Sequence, residues 1–132
     1  MKVVYVAGPY RGKDNWEIEQ NVRRAEEVAL RIWRTGQAVA LCPHCETRFF
    51  QGAAPDDVWI AGTLELLRRC DAIFLLPGWI TSVGARGEQQ EALRRHIHAF
   101  ERFDDLLRWL DECDEADSNN EAFRKDQHRG DR

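Results

Sequence analysis

The sequence predicts an α/β fold with a mainly parallel sheet, because three short apolar runs alternate with segments of helical periodicity. The apolar runs are residues 3–7, 38–41 and 72–76, and they are typical of strands covered on both faces. Residues 16–34 and 57–70 lie between these runs and carry apolar side chains at helical spacing. Such alternation indicates parallel strands joined by right-handed crossovers.

The first half of the chain supplies two strands, one helix and two loops. The strand "VVYVA" runs into "GPYRGKDN", a turn-rich loop in which Asp14 or Asn15 can cap the first helix. Gly36 is a plausible stop for that helix. The loop over residues 42–56 is long enough to suggest a function.

The second half supplies the remaining elements. The helix that carries Glu88 fits roughly residues 85–95, and segment 97–101 fits either a short fourth strand or a continued helix. Residues 103–112 form an amphipathic pattern. The polar stretch 113–132 offers one aromatic side chain to bury, so we expect a disordered or loosely attached tail.

Length and composition bound the class of protein. A chain of 132 residues with 43% hydrophobic residues suits one domain, which we place over residues 1–112. The prediction is a doubly wound, flavodoxin- or Rossmann-like domain with four to five strands flanked by helices. The net charge of −4 argues against a nucleic acid duplex as a partner. No apolar run approaches the ~18 residues of a membrane span and no signal peptide is visible, so we expect no membrane partner.

The cysteines predict a reduced, cytoplasmic setting and no metal. The segment "CPHC" places Cys42, His44 and Cys45 close together, but a structural zinc site needs a second ligand pair of similar spacing. The two other cysteines and the later histidines do not form one. We therefore interpret the segment as a strand end with small buried thiols.

Three loops should meet at one crevice. Ligands of open parallel sheets bind beyond the carboxyl ends of the strands. Residues 8–15, 42–56 and 77–88 follow the three predicted strands, so the sequence places them at that edge.

The first of these loops offers Gly8, Tyr10, Arg11 and Gly12 as candidate binding residues. Glycines permit close backbone approach, and Arg11 supplies a planar cation for a phosphate or carboxylate. The same residues also fit an ordinary turn with a solvated arginine. Neither the dinucleotide glycine fingerprint nor the triphosphate-binding loop is present.

The third loop, "LLPGWITSVGARGEQQEA" with its flanks, carries the strongest chemical signal. Ser82 and the amides near Gly84 can bind an anion at a helix N-terminus. Glu88 follows within the first turn or so, where a carboxylate is stabilised as the anion. A glutamate near a helix start is common, but an ionised one in a crevice can attack a sugar carbon.

Other residues near the crevice leave alternatives open. Trp79 and Trp59 could stack on a base or simply pack in the core. Asp56 and Asp57 start the second predicted helix, and one of them could still reach the crevice.

These motifs together resemble the nucleoside 2-deoxyribosyltransferase superfamily over roughly residues 2–110. Within that superfamily the chain is most similar to small bacterial and phage proteins of a domain of unknown function, DUF4406. The resemblance is carried by "VYVAGPYRG", "NVRRAEEVALRIWRTG", "CPHCETRFF", "GAAPDDVW", "LELLRRCDAIFLLPGW" and "SVGARGEQQEA".

The last motif also resembles 2′-deoxynucleoside 5′-monophosphate N-glycosidases of the same superfamily. The resemblance implies that Glu88 attacks the anomeric carbon and expels the base, and that Ser82 binds phosphate. It also aligns Arg11 and Gly12 with an Arg-Gly pair of those relatives. A glycosyl-enzyme ester would then be resolved by water or by a second base.

Two positions depart from the pattern of those relatives. Thr63 stands where they carry an aspartate that assists the leaving base, and a threonine cannot act as a carboxylic acid would. Asp57 could substitute, or the chemistry could be lost. Arg86 stands where the hydrolases keep a small residue, and it could bind phosphate or pair with Glu88.

The sequence thus favours an enzyme that cleaves or transfers across the N-glycosidic bond of a deoxynucleoside or its monophosphate, without a cofactor. The alternatives are a non-catalytic nucleotide-binding module and a pure interaction protein. The superfamily forms homodimers or larger homo-oligomers, so the resemblance implies one here. We expect four aromatic residues to serve such a contact: Trp33, Phe49, Phe50 and Trp109.

Overall fold

The computed structural model describes residues 1–130 and contains one four-stranded, all-parallel sheet in the order β2-β1-β3-β4. This confirms the predicted α/β fold, and segment 97–101 holds the fourth strand. A 3-10 turn lies at Trp79–Thr81. The other elements, in chain order, are β1 (Lys2–Ala7), α1 (Asn15–Arg34), β2 (Ala38–Leu41), α2 (Pro43–Glu46), α3 (Asp56–Arg68), β3 (Ala72–Leu75), α4 (Val83–Arg94), β4 (His98–Phe100) and α5 (Phe103–Gly130).

The sheet is covered on both faces, as the continuous apolar character of β1 predicts. Successive side chains of a strand point to opposite faces, so β1 divides its residues between two cores. Val4 and Val6 pack with residues of α1 and α5. Tyr5 and Ala7 pack on the other side with residues of α3 and α4, namely Leu67 and Ala92.

Local capping fixes where α1 begins and ends. Asp14, not Asn15, is the cap, since its side chain accepts a 2.9 Å hydrogen bond from the Glu17 amide. At the other end Gly36 has a φ of 67°, the left-handed conformation that closes many helices. These two residues fix the length of the crossover that joins β1 to β2.

The polar tail, for which the sequence predicts a disordered or loosely attached segment, is helical over most of its length. Residues 113–130 continue α5, while residues 131–132 lie outside the described part of the chain. No proline or glycine interrupts residues 103–129, so nothing in the sequence ends the helix earlier. Every side chain over 114–130 is exposed, and the buried residues of α5 are Leu106 and Leu110.

Within residues 1–130, no helix combines the length and the apolar character that crossing a bilayer requires.

Candidate functional site

The candidate site lies where β1 and β3 end side by side. The two strands are parallel neighbours, and the Leu76 amide donates a 2.8 Å hydrogen bond to the Ala7 carbonyl just beyond β3. From β1 the chain crosses to β2 on one side, whereas β3 lies on the other. This reversal of strand order is the position at which doubly wound sheets bind ligands.

The first loop is packed tightly against the end of β3. A β-carbon added at Gly8 would lie 2.7 Å from the Leu76 side chain, so only glycine fits there. Asn21 of α1 holds the backbone of the first loop through two hydrogen bonds. Its amide nitrogen donates to the Tyr10 carbonyl at 3.1 Å and to the Arg11 carbonyl at 3.4 Å. Gly12 is equally confined, by the side chain of Glu17.

The second loop joins the first at two points. The buried His44 donates from Nε2 to the Pro9 carbonyl at 3.0 Å, which fixes its tautomer, and burial lowers its pKa. Its ring also meets the Tyr10 ring edge-on, with centroids 5.4 Å apart. The second contact is an exposed ion pair between Arg11 and Asp56 at 2.5 Å.

The third loop closes on the first through Gly78. Gly78 has a φ of 87°, and a β-carbon there would lie 3.3 Å from Pro9 Cγ. The three loops that the sequence places at this edge therefore do converge on one site.

Behind these loops, Glu88 of α4 and Tyr5 of β1 interact at the base of the site. Tyr5 is fully buried, and among residues 1–130 its hydroxyl finds no partner at full hydrogen-bonding geometry. Burial and then the Glu88 carboxylate raise the Tyr5 pKa, whereas the Thr63 hydroxyl acts in the opposite direction. A buried hydroxyl without a full partner is costly in a protein core and leaves capacity for a ligand.

The prediction that a place in the first helical turn stabilises Glu88 as the anion is wrong: α4 begins at Val83 and its first turn carries no acidic residue, so Glu88 lies beyond it. Burial instead raises the pKa of Glu88 to about 7, and the Tyr5 hydroxyl opposes that rise. Glu88 is only partly exposed. Arg86, one of its predicted partners, is exposed on α4 and forms no ion pair with Glu88 within residues 1–130. Glu88 therefore changes charge near neutral pH, which suits a group that takes part in chemistry.

Ser82 and Gly84 occupy the start of α4 in the manner the sequence predicts. Ser82 is the cap residue, and its Oγ accepts from the Ala85 amide at 3.3 Å. A β-carbon at Gly84 would meet open space within 4 Å. The two residues therefore leave an uncrowded helix N-terminus beside the loops, where an anion can approach.

Trp79 and Asp57 are less favourably placed than the other predicted site residues. The Trp79 ring packs against the core on the α3–α4 side, and its Nε1 donates to Glu101 at 2.5 Å. Asp57 is exposed at the start of α3, where its neighbour Asp56 takes the contact with Arg11. Stacking by Trp79 and acid catalysis by Asp57 remain predictions.

Sequence reasoning missed Tyr5, Asn21, His44 and Glu91. Tyr5 is the one phenol in the apolar run 3–7, and Asn21 is a polar residue on the buried face of α1, so both carried a signal in their position. The CPHC segment draws attention to His44 only as a possible metal ligand, yet within the described chain no group of three or more metal-binding side chains forms.

Glu91 is buried one turn beyond Glu88 and binds three arginines. Arg68 of α3 donates to it from Nε at 2.8 Å, Arg95 does so at 3.2 Å, and Arg94 also contacts it. Arg68 and Arg94 lower the Glu91 pKa to about 2. This cluster ties α4 to α3 and thereby fixes the position of Glu88.

The predicted self-association residues have different surroundings. Trp33 and Phe49 are well exposed, at 55% and 86%, and Phe50 is about half exposed. Trp109 instead packs against Phe100 and the core, with ring centroids 5.5 Å apart, so it is less available.

The fold and the site define a doubly wound α/β protein with a partly buried carboxylate beside the strand-order reversal. The chain belongs to the family described as Domain of unknown function (DUF4406), whose model matches residues 2–100. This confirms the predicted resemblance to DUF4406. No curated protein matches the chain.

Proposed function

We propose that the protein cleaves the N-glycosidic bond of a deoxynucleoside or a deoxynucleoside monophosphate, or transfers its 2-deoxyribosyl group, with Glu88 as nucleophile. The observation that carries this proposal is the Glu88 carboxylate beside the buried Tyr5 hydroxyl, under an open helix N-terminus at the strand-order reversal. The resemblance to the nucleoside 2-deoxyribosyltransferase superfamily supplies the reaction class.

In the first step a Glu88 oxygen attacks C1′ and the bond from C1′ to the base nitrogen breaks. The base leaves with the bonding electrons and takes up a proton from solvent water, and a glycosyl ester remains on Glu88. In the second step water attacks C1′ and releases Glu88, or the nitrogen of another base does so. Hydrolysis and transfer thus share the same first step and differ in the acceptor.

The pKa of Glu88 sets the pH at which it can react. A carboxylate attacks carbon only when ionised, and the ionised fraction of a group with a pKa of about 7 grows as the pH rises through neutrality. The Tyr5 hydroxyl can donate to that carboxylate and hold it in one orientation.

The 5′-phosphate, where present, would bind at the start of α4 and in the first loop. Ser82 and the amides around Gly84 can donate to phosphate oxygens, and Arg86 and Arg11 add positive charge. Gly8 and Gly12 let the first loop pack closely against Leu76 and Glu17, which holds the loop at the edge of the site. Tyr10, held by His44, offers a ring edge for the sugar or base. Arg11 would exchange its exposed pair with Asp56 for the ligand, at little cost because such pairs are weak.

A non-catalytic nucleotide-binding module is the second candidate, and Thr63 favours it. Thr63 donates its hydroxyl to the Ile60 carbonyl at 3.1 Å and supplies no acid for the leaving base. A module of this kind would keep the phosphate and sugar contacts without turnover.

The test is incubation of the purified protein with the four deoxynucleosides and their monophosphates, followed by chromatography of the free bases. We expect base release from at least one substrate, and none from Glu88→Gln. The matched control is Glu27→Gln, an exposed glutamate on α1, which should keep the wild-type rate. Saturable binding of a nucleotide without release of base would favour the module.

We also propose that the protein forms a homodimer or a larger homo-oligomer. The exposed aromatic side chains of Trp33 and Phe49 support this proposal. Sedimentation as a stable monomer would contradict it.

A further inference from the structure

Cys42 and Cys45 place two thiols in contact at the end of β2. Cys42 is the residue before α2 and Cys45 lies within it, and their sulfur atoms are 3.2 Å apart. A disulfide requires ~2.05 Å between the sulfurs, so a shift of little more than 1 Å would join them.

The two thiols differ in their access to solvent. Cys42 is 5% exposed, whereas Cys45 is partly exposed. An incoming reagent therefore meets Cys45 first, and Cys42 is positioned behind it to displace whatever has attached. This is the arrangement of an attacking and a resolving thiol.

We propose that Cys42 and Cys45 form a reversible dithiol–disulfide site that exchanges with low-molecular-weight disulfides such as oxidised glutathione. The Cys45 thiolate attacks one sulfur of the small disulfide and expels one thiolate. The Cys42 thiolate then attacks Cys45 Sγ and expels the second. Two protein thiols are oxidised, the small disulfide is reduced to two thiols, and the two protein protons pass to them.

The surroundings of the two thiols should make this exchange slower than that of a catalytic dithiol. Burial is the main cause that raises the pKa of both Cys42 and Cys45. Since the thiolate is the reacting form, exchange should accelerate as the pH rises. The pair is thus suited to respond to a lasting change in redox conditions.

The structure connects the pair to the first loop through the residue between them. His44 lies within the Cys42–Cys45 segment and holds the Pro9 carbonyl and the Tyr10 ring. A covalent link across this segment removes freedom from α2, and so from the contact that holds residues 8–12. Oxidation should therefore make this loop more rigid.

The test uses the wild-type chain incubated with oxidised glutathione at pH 8, alkylated under denaturing conditions and digested with trypsin. Cleavage after Arg34 and Arg48 places both cysteines in one peptide, residues 35–48, separate from Cys70 and Cys113. We expect this peptide to lose both alkylation sites without retaining glutathione, and dithiothreitol to restore them. Cys42→Ser should instead hold glutathione at Cys45.

Two results would overturn the proposal. One is a wild-type peptide that keeps both free thiols or keeps glutathione, whether or not Cys45 is modified in Cys42→Ser. The other is zinc retained by the pair through dialysis against a chelator.

The link to the loop has its own readout, which does not depend on any enzymatic activity. Trypsin acting on the native protein can cut after the exposed Arg11, and cutting after Lys125 in the exposed part of α5 serves as the internal reference. We expect oxidation to slow cleavage after Arg11 relative to Lys125 in the wild type but not in Cys45→Ser. Equal or faster cleavage would show that the loop does not sense the disulfide.

Discussion

The Tyr5 hydroxyl and the Glu88 carboxylate act on each other across the interface between β1 and α4. The carboxylate raises the pKa of Tyr5, and the hydroxyl opposes the rise that burial causes in the pKa of Glu88. Neither group has a cationic partner within the described residues to neutralise the carboxylate. The ionised form of Glu88 therefore lowers the free energy of unfolding, and the pH dependence of stability can measure this effect.

Replacing Glu88 should remove a loss of stability that the wild type suffers as the pH rises. The pKa of Glu88 is raised from 4.5 to about 7, so the wild type loses stability as the pH rises from 4.5 through 7. Complete burial would set the loss at about 3 kcal/mol, and partial access to solvent reduces it to about 1–2 kcal/mol. Glu88→Gln cannot ionise. The difference between its free energy of unfolding and that of the wild type should therefore increase in favour of the variant over this pH range and stay constant above it.

Urea unfolding at a series of pH values measures this difference. Glu27→Gln, an exposed change, should show no such pH dependence. A constant difference between Glu88→Gln and the wild type from pH 4.5 to 9 would mean that Glu88 titrates as in water.

Removing the charge of Glu91 should destabilise the link between α3 and α4. The pKa of Glu91 is lowered to about 2, so its contribution to stability is complete above pH 4.5 and is lost as the pH falls through 2. Glu91→Gln should therefore lower the urea midpoint at neutral pH, and the difference from wild type should shrink on acidification. Glu65→Gln, an exposed partner of Arg68 and Arg69, should cost clearly less. Equal losses in the two variants would contradict the structural role of Glu91.

A methyl group at Gly84 should block a phosphate without harming the fold. A β-carbon there meets open space, so Gly84→Ala should change stability by less than about 1 kcal/mol. If a phosphate lies against this backbone, its affinity should fall about ten-fold, equivalent to about 1.4 kcal/mol. Gly87→Ala is the matched control, since its β-carbon also meets open space on the same helix. Calorimetric titration with deoxynucleoside monophosphates would compare the two, and equal affinities would remove Gly84 from the phosphate site.

Supplying a carboxylic acid at position 63 should speed release of the base. Thr63 interacts with Tyr5 and offers no acid of its own. Thr63→Asp should raise kcat about 10²-fold, as general acid catalysis typically does, whereas Thr63→Asn should not. The added negative charge near Glu88 should also raise the pKa of Glu88 and shift the pH profile of the rate to higher pH. An unchanged rate in Thr63→Asp would show that protonation of the leaving base is not limiting.

The fold could be read from the sequence because its main signals are local. The apolar run at 3–7, the cap at Asp14 or Asn15 and the stop at Gly36 depend on neighbours along the chain, and they predicted β1 and α1 closely. The tail could not be read in this way. Its polar composition says that it buries little, which is true of residues 114–130, but not whether the exposed segment is helical.

The site was predictable only in part, for the same reason. The spacing along one loop and helix is enough to predict Ser82, Gly84 and Glu88 as site residues. Tyr5 and Glu91 gain their importance from contacts across the fold, Tyr5 with α4 and Glu91 with α3. A strand tyrosine and a helix glutamate look ordinary until those contacts are known.

The most direct test of Glu88 as nucleophile is the pH dependence of base release from the best deoxynucleotide substrate. We predict that the wild-type rate rises as the pH passes through about 7 and then reaches a plateau, because Glu88 must be ionised. Glu88→Gln should release no base at any pH. Base release by Glu88→Gln at the wild-type rate would contradict the role of Glu88 outright.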